Sequence, residues 1–507
     1  MSRRAVAAFA LIFLLGAGLR LWGLEDKSLN EDEFWVVSEA GSSIHYILFQ
    51  EWKKDIHPPL NLIFFHYWMR IGEADWLLRL PSALFSIATL LLVALLAWEL
   101  TRSRGVALLS SLFFALSPFA VHFAHYAKGY AFLGLLATAS CLFFLRAVRL
   151  GASRDLLLLS VVNVLGAYTH YSMLLLILAQ NLGFFLRAKG SPLGWKRWFA
   201  YQVGTAALGI PWVLPFLHQW LGGRDYALSD DLKLLPLPLR AGYILYCLCL
   251  GNSLNPLWLP IVIPAAVAFG LAFLLALPTL WKSGWAGRLL LALLLIPLGI
   301  GFARAAMLPK HLYFVLPLFS LALAAGVAGF ARVSRATAVL TVGIIASASL
   351  VSSLNYLSGR QLHSPPAPWK ETANQIRQEV SSPVADILLY PEKSSGTWRH
   401  SRMLRRYLPS LEIHFLPIAP DSTEAETLRF IQALPDAPLW AVLHYGGSSA
   451  TERIRELIKA ELERKFRLVG SWDFGRDEHL LEGFLKSKII KRQPYDVLQL
   501  RRYEPTS

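Results

Sequence analysis

Eight of the 15 acidic residues before position 358 fall between Glu25 and Asp55. Among them, Asp32 and Glu33 precede the apolar run Phe34-Trp35-Val36-Val37, and Ser38-Glu39 follow it. That order predicts an amphipathic helix lying along a membrane surface, with the acid pair at its N-terminal end. The helix dipole favours carboxylates there. A carboxylate beside an apolar surface also becomes a stronger general base, because desolvation raises its pKa. Any single acid in such a loop is as readily an ordinary solvated residue.

Three more polar clusters stand at the ends of apolar stretches. The first holds His122, His125, Tyr126, Lys128 and Tyr130. The second is Tyr168-Thr169-His170-Tyr171, and the third is Arg304 with Lys310, His311 and Tyr313. Isolated Tyr, Trp, Lys and Arg residues at a membrane interface are usually anchors. Carboxylates, cations, histidines and aromatics gathered on one face instead suit a site that holds an anionic lipid head group and does chemistry on it.

The elements that must position these residues are membrane helices. Of the 507 residues, 55% are hydrophobic and 16% charged, against about 25% charged in an ordinary soluble domain. Apolar stretches near bilayer length occupy 5–24, 79–100, 106–122, 130–149, 156–170, 172–188, 199–218, 257–281, 286–302, 312–331 and 336–357. Arg20 and Trp22 close the first stretch where a cleaved leader would carry a small-residue site, so it reads as a retained helix with a cytoplasmic N-terminus. Alternate loops carry Arg102 and Arg104, then Arg146, Arg149 and Arg154, then Arg187, Lys189, Lys196 and Arg197, then Lys282 and Arg288, then Arg332 and Arg335. The positive-inside rule places them all in the cytoplasm. A crossing at 57–72 would move every later basic loop outside, and the segment is short of the ~20 residues a crossing needs. It therefore reads as an interfacial or re-entrant helix, as does 239–250. About 11 crossings remain, and the C-terminal tail then faces away from the cytoplasm.

Charge density divides the chain. Residues 1–357 hold 42 charged residues, and the 150 residues of 358–507 hold 41. We read a transmembrane domain over 1–357, with a first outer loop at 25–78, and an extracytoplasmic domain over 358–507. In that domain helical patterns near 368–380, 396–408, 421–434 and 449–464 alternate with strand patterns at 385–390, 412–416, 438–445, 467–474 and 497–503. The alternation predicts a small α/β domain. The net charge of +15 reflects cytoplasmic helix ends. No basic run interleaved with aromatics and no zinc-finger spacing supports nucleic-acid binding. Cys141, Cys247 and Cys249 lie in apolar segments and imply no disulfide framework.

Several segments in order carry a resemblance. These are Asp32-Glu33 after the first helix, His57-Pro58-Pro59-Leu60, Arg79-Leu80-Pro81-Ser82-Ala83-Leu84, HYAKGYAFLGL at 125–135, YTHYSMLL at 168–175, KHLYFVLPLFSLALAAG at 310–326 and PWKETANQI at 368–376. Together they resemble the bacterial membrane glycosyltransferases of the GT-C class, in the family 39-like group that holds the protein O-mannosyltransferases and aminoarabinose transferases. Each segment alone is a weak signal; their order and spacing are more specific. The family pattern departs at Tyr126 and Lys128, where many members carry Glu and Arg. Lys keeps the charge but lacks the fork that Arg offers a phosphate. The later segment likewise opens with Lys310-His311 in place of Arg-Tyr.

The resemblance implies an α-helical polytopic membrane protein of the bacterial cytoplasmic membrane. It implies transfer of a sugar from a polyprenyl-phosphate donor, at the outer face, to a hydroxyl or phosphate on a lipid, glycan or protein, with inversion at the anomeric carbon. Asp32 then takes the role of general base, supported by Glu33. Lys128, Lys310, His311 and Arg79 would hold the donor phosphate, and His57, His125, Tyr130, His170 and Tyr171 would contact substrate. The acids at 31–33 with His57 could hold a divalent cation, although their spacing matches no metal signature. A transporter or flippase of lipid-linked intermediates is the alternative reading. It would favour mid-membrane acids and internal repeats, which the sequence lacks. A binding protein working through its tail ranks behind both.

Overall fold

The computed structural model describes residues 3–187, 191–221, 236–251, 253–303, 308–359, 367–380, 382–391, 400–447, 449–474 and 493–506. Lys189, Arg304 and the start of the helix expected at 396–408 lie outside the described residues. The chain divides into two compact units. One comprises 1–24 and 35–360. The other comprises 25–34 and 361–507. The acid-bearing segment 25–34 thus groups with the C-terminal part of the chain.

The first unit is a bundle of apolar helices. Among the described residues, eight helices are long and apolar enough to cross a membrane: Arg3–Leu21, Asp75–Thr101, Tyr130–Leu150, Trp195–Gln219, Leu259–Lys282, Trp285–Ala303, Pro309–Phe330 and Arg335–Leu357. A ninth forms if Arg104–Leu116 and Pro118–Ala124, bent by 58° at their junction, count as one span. Ser117 caps the second of these by accepting from Ala120 N, and Pro118 fits its first turn because that position needs no N–H. The stretches at 156–170 and 172–188 form helices Ser153–Thr169 and Met173–Arg187, of 17 and 15 residues. Both end at the polar loop His170–Ser172 and are shorter than the ~20 residues typical of a crossing, so they fall outside that count. Leu60–Trp68 has nine residues and Leu237–Leu250 has 14.

Close packing and buried polar contacts join the helices. A Cβ on Gly326 would lie 1.8 Å from the Ala272 carbonyl oxygen, so only glycine lets Leu316–Phe330 approach Leu259–Lys282 this closely. Arg20 is fully buried and donates to Ser86 Oγ at 2.7 Å, Gly16 O at 2.9 Å, Ala115 O at 3.0 Å and Phe114 O at 2.9 Å. These bonds satisfy a guanidinium that burial would otherwise make costly. Ser140, Asn163 and Gln180 close a ring of side-chain bonds across Tyr130–Leu150, Ser153–Thr169 and Met173–Arg187.

The second unit is α/β. Its strands are β1 (Val384–Tyr390), β2 (Glu412–Pro417), β3 (Leu439–Gly447), β4 (Phe466–Phe474) and β5 (Gln493–Pro505). They form one sheet in the order β2-β1-β3-β5-β4. The pairs of β1 with β2 and with β3 are parallel, and helices make those crossovers. β5 pairs antiparallel with β3 and β4. Alternate residues of β1 enter two cores: Ile387 and Leu389 pack with Trp369, Ile376 and Leu404, while Leu388 and Tyr390 pack with Ile431, Ile458 and Phe466. Period-2 alternation with both faces filled is what a helix-flanked sheet requires.

Candidate functional site

In the membrane unit, a narrow cleft is lined by Trp35, His57, Pro58, Asn61, Leu62, Lys128, Gly129, Tyr130, Thr169 and His170. All but Trp35, which sits midway along Glu31–Ala40, lie at or beside the end of a helix. Lys128 follows a tight turn after Pro118–Ala124, which Ser82 secures by donating to the Tyr126 carbonyl at 2.7 Å. Gly129 sits against the opposite wall. A Cβ there would lie 3.0 Å from Thr169 Cγ2 and 3.1 Å from Asn61 Oδ1.

Basic and imidazole groups converge on this place. Lys128 Nζ lies 5.6 Å from the Trp35 ring centre and 6.0 Å from that of Tyr130, within cation–π range. The His170 ring is 5.8 Å from His57, 5.6 Å from Tyr130 and 5.4 Å from His311. His170 Nδ1 accepts from Ser172 N at 3.1 Å, so the proton of the neutral ring sits on Nε2. Burial holds its pKa well below the ordinary value, and His311, His57, Lys128 and Lys310 push it further down. A neutral imidazole N–H and two lysines thus share one small region, where an anion gains most. The Tyr130 hydroxyl is buried and has no hydrogen-bond partner among the described residues.

Asp55 stands behind His57. Its Oδ1 lies 2.8 Å from His57 Nδ1, the arrangement by which a carboxylate fixes the tautomer and orientation of an imidazole. Tyr171 OH donates to Gln219 Oε1 at 2.5 Å and accepts from Trp212 Nε1 at 2.9 Å. Gln219 in turn donates to the Asp55 and Trp52 carbonyls at 2.9 and 3.2 Å. Burial raises the Tyr171 pKa, so its hydroxyl stays protonated. Glu51 is also buried, and its pKa is raised to about 7, first by burial and then by Glu39 and Asp55.

A second cavity adjoins the same loop. Asn163, Tyr168, Tyr171, Thr205, Trp212 and Phe216 are among the residues lining an open, largely apolar groove of about 330 Å³. His170 faces the polar cleft and Tyr171 the apolar groove, so adjacent residues serve both.

The acid pair belongs to the other unit. Asn30 is the cap of the helix Glu31–Ala40: Glu33 N donates to Asn30 Oδ1 at 2.9 Å, and Asn30 N donates to Glu33 Oε2 at 3.0 Å. This reciprocal pair is a capping box. Glu33 is buried and its carboxylate is engaged in the cap. Asp32 occupies the second helical position and is half-buried.

Of the residues expected to contact substrate, His57, Tyr130 and His170 line the cleft, with Lys128 from the phosphate set. Lys310 and His311 act electrostatically on His170. Arg79 and His125 do not line the cleft: Arg79 donates to the Leu24 carbonyl at 2.9 Å, and the His125 ring packs edge-on against Tyr356 at 5.5 Å. Among the described residues, no group of three or more His, Cys, Asp or Glu side chains is gathered to hold a metal ion. Sequence reasoning missed Trp35, Asn61 and Asp55. Trp35 lies one helical turn after Asp32, and Asp55 lies two residues before the His-Pro-Pro segment; these spacings were the available signals.

Residues 56–218 match the family described as dolichyl-phosphate-mannose-protein mannosyltransferase. No curated protein matches the chain. Among solved structures, ArnT from Cupriavidus metallidurans in the apo state is 13% identical, with a TM-score of 0.58 over 98% of this chain and 97% of that one. ArnT bound to undecaprenyl phosphate gives 13% identity and a TM-score of 0.56 over 99% and 98%. Archaeal oligosaccharyltransferase AglB from Archaeoglobus fulgidus, in complex with an inhibitory peptide and a dolichol-phosphate, is 10% identical, with a TM-score of 0.56 over 92% of this chain and 73% of that one. The chain is a multi-pass membrane protein with the fold of the GT-C glycosyltransferases.

Proposed function

We propose that the protein is a glycosyltransferase that takes a sugar from a polyprenyl-phosphate donor and passes it to a hydroxyl or phosphate acceptor at the outer face of the cytoplasmic membrane. The observation that carries this reading is the convergence of Lys128, His57, His170, His311 and Lys310 beside an apolar groove, with the loop 168–172 between the two. An anionic head joined to a long hydrocarbon tail suits basic and imidazole groups placed beside an apolar groove. The likeness to ArnT, solved with undecaprenyl phosphate, supports the same ligand class.

The chemistry follows from charge. Asp32 accepts the proton of an acceptor hydroxyl as its oxygen attacks the anomeric carbon. The bond from that carbon to the phosphate oxygen breaks, and the bonding pair leaves with the phosphate. A single displacement inverts the anomeric centre. The phosphate gains a negative charge in the process, so cations around it bind the transition state more tightly than the ground state. Lys128 supplies the nearest charge, with Lys310 as a second. The N–H of neutral His170 and the Tyr130 hydroxyl supply donors, and His57, held by Asp55, lines the same cleft. Support for Asp32 comes from its place in the first turn of a capped helix that carries three acids.

The test is in vitro transfer by the full-length protein with a panel of radiolabelled polyprenyl-phosphate sugars and total membrane extract. The expected result is a labelled acceptor product from at least one donor. Absence of transfer from every donor, in a preparation that also fails to bind polyprenyl phosphate, would overturn the reading.

A further inference from the structure

The segment 25–34 is held throughout by the C-terminal unit to which it belongs. The helix Trp369–Glu379 begins after Pro368, and it receives no side-chain cap from that position. Ser28, more than 300 residues earlier, fills the role. Its Oγ accepts from Lys370 N at 3.0 Å and donates to Glu371 Oε2 at 3.4 Å. One of the orphan donors of the helix is thereby satisfied by a distant stretch of chain. Next to it, Leu29 is fully buried, and its backbone N–H donates to the Tyr407 hydroxyl at 2.9 Å. The Lys370 ammonium donates to the Glu25 carbonyl at 2.6 Å and to its carboxylate at 2.9 Å. Phe34 closes the segment by entering the core around Trp369 and Leu404.

Residues 25–30 precede the helix, so their own backbone offers few internal bonds. Ordering each such residue costs about 1–2 kcal/mol of conformational entropy. The bonds from Lys370, Tyr407 and the helix N-terminus offset that cost. They end one residue before the capping box that fixes Asp32 at its helical position. The C-terminal domain therefore has a physical task independent of any binding site of its own.

We propose that the C-terminal α/β domain positions the general base: Ser28 capping Trp369–Glu379, with Tyr407 bonded to Leu29, fixes the approach of the chain to Asp32. The inference rests on the assignment of Asp32 as base. Ser28 and Tyr407 are positioning residues, since they act through the backbone that carries Asp32. A base used in the transition state but not in donor binding gives a defined kinetic signature when it is misplaced.

The experiment compares Tyr407→Phe and Ser28→Ala in the full-length protein by amide exchange and by steady-state transfer. Each variant should exchange amides of 25–34 faster than wild type. Each should lower kcat by about ten- to a hundredfold, as small misplacements of reacting groups do, with the donor KM unchanged. Faster exchange with wild-type kcat overturns the proposal, and so does unchanged exchange in both variants. A rise in donor KM with kcat retained also overturns it, because a donor-binding role would do that. Asp32→Asn, measured alongside, separates the two ideas: full turnover in that variant removes the base assignment, while the exchange data report on the anchoring by themselves.

Discussion

The acid-bearing segment and the cationic cleft are both crowded with polar side chains, but they are built on opposite principles. In 25–34, opposite charges and caps answer one another: Lys370 meets Glu25, Ser28 caps a helix, and Glu33 closes a box with Asn30. In the cleft, basic and imidazole groups are brought together, with Asp55 paired to His57, and His170 is kept neutral by burial and by the cations around it. The first arrangement stabilises a fold. The second gathers donors where an anion would gain most, which makes it the stronger sign of a binding site. Counting acids in a loop is therefore a poor guide, because Glu25 and Glu33 serve the fold. Convergence of basic and imidazole groups from four separate chain segments is the better one.

That contrast can be broken first at Asp32. Asp32→Asn should lower transfer by at least about 100-fold, the usual scale for losing a general base, with membrane insertion and melting unchanged. Transfer at the wild-type rate would leave the segment with structural roles alone. In the cleft, His57→Ala should reduce kcat/KM on the order of tenfold, the scale of losing one hydrogen-bonding group from the lining. An unchanged value would confine His57 to ordering its loop with Asp55. Asn30→Ala tests the structural side. It should cost about 1 kcal/mol at the helix start, read as faster amide exchange over Glu31–Phe34.

The smallest effect concerns pH. Glu51 has a folded pKa of about 7 against an ordinary 4.5, so the folded state holds its proton more tightly than the unfolded state does. Its contribution is fully present below pH 4.5 and is lost as pH rises through about 7. Glu51→Gln should remove that dependence. The variant should melt at a higher temperature than wild type at pH 8 and close to it at pH 4.5. Equal melting at both values would show that Glu51 is ionised in the folded state.

Much of this was legible in the residues. The strands of the C-terminal sheet fall close to the alternating runs at 385–390, 412–416, 438–445, 467–474 and 497–503, because alternation is a local property. His57, Lys128, Tyr130 and His170 were legible too, as polar residues that interrupt apolar helices. What the sequence concealed is long-range. Nothing local marks Ser28 as the cap of a helix starting at Trp369, or Tyr407 as the partner of Leu29. Arg79 looked like a phosphate ligand because it is an arginine near the polar face, but its guanidinium bonds the Leu24 carbonyl. Helix lengths were concealed as well, since apolar composition does not reveal that the His170–Ser172 loop shortens two helices at once.

The central claim is that the cleft holds the phosphate of a polyprenyl lipid. Its most direct test is equilibrium binding of undecaprenyl phosphate to the purified protein and to Lys128→Ala, with undecaprenol as the uncharged control. Tight binding of the phosphate to wild type is expected, with about tenfold or more weaker binding to the variant and equal, weak binding of undecaprenol to both. Equal affinity of wild type and variant for the phosphate, or equal affinity of wild type for phosphate and alcohol, would contradict it.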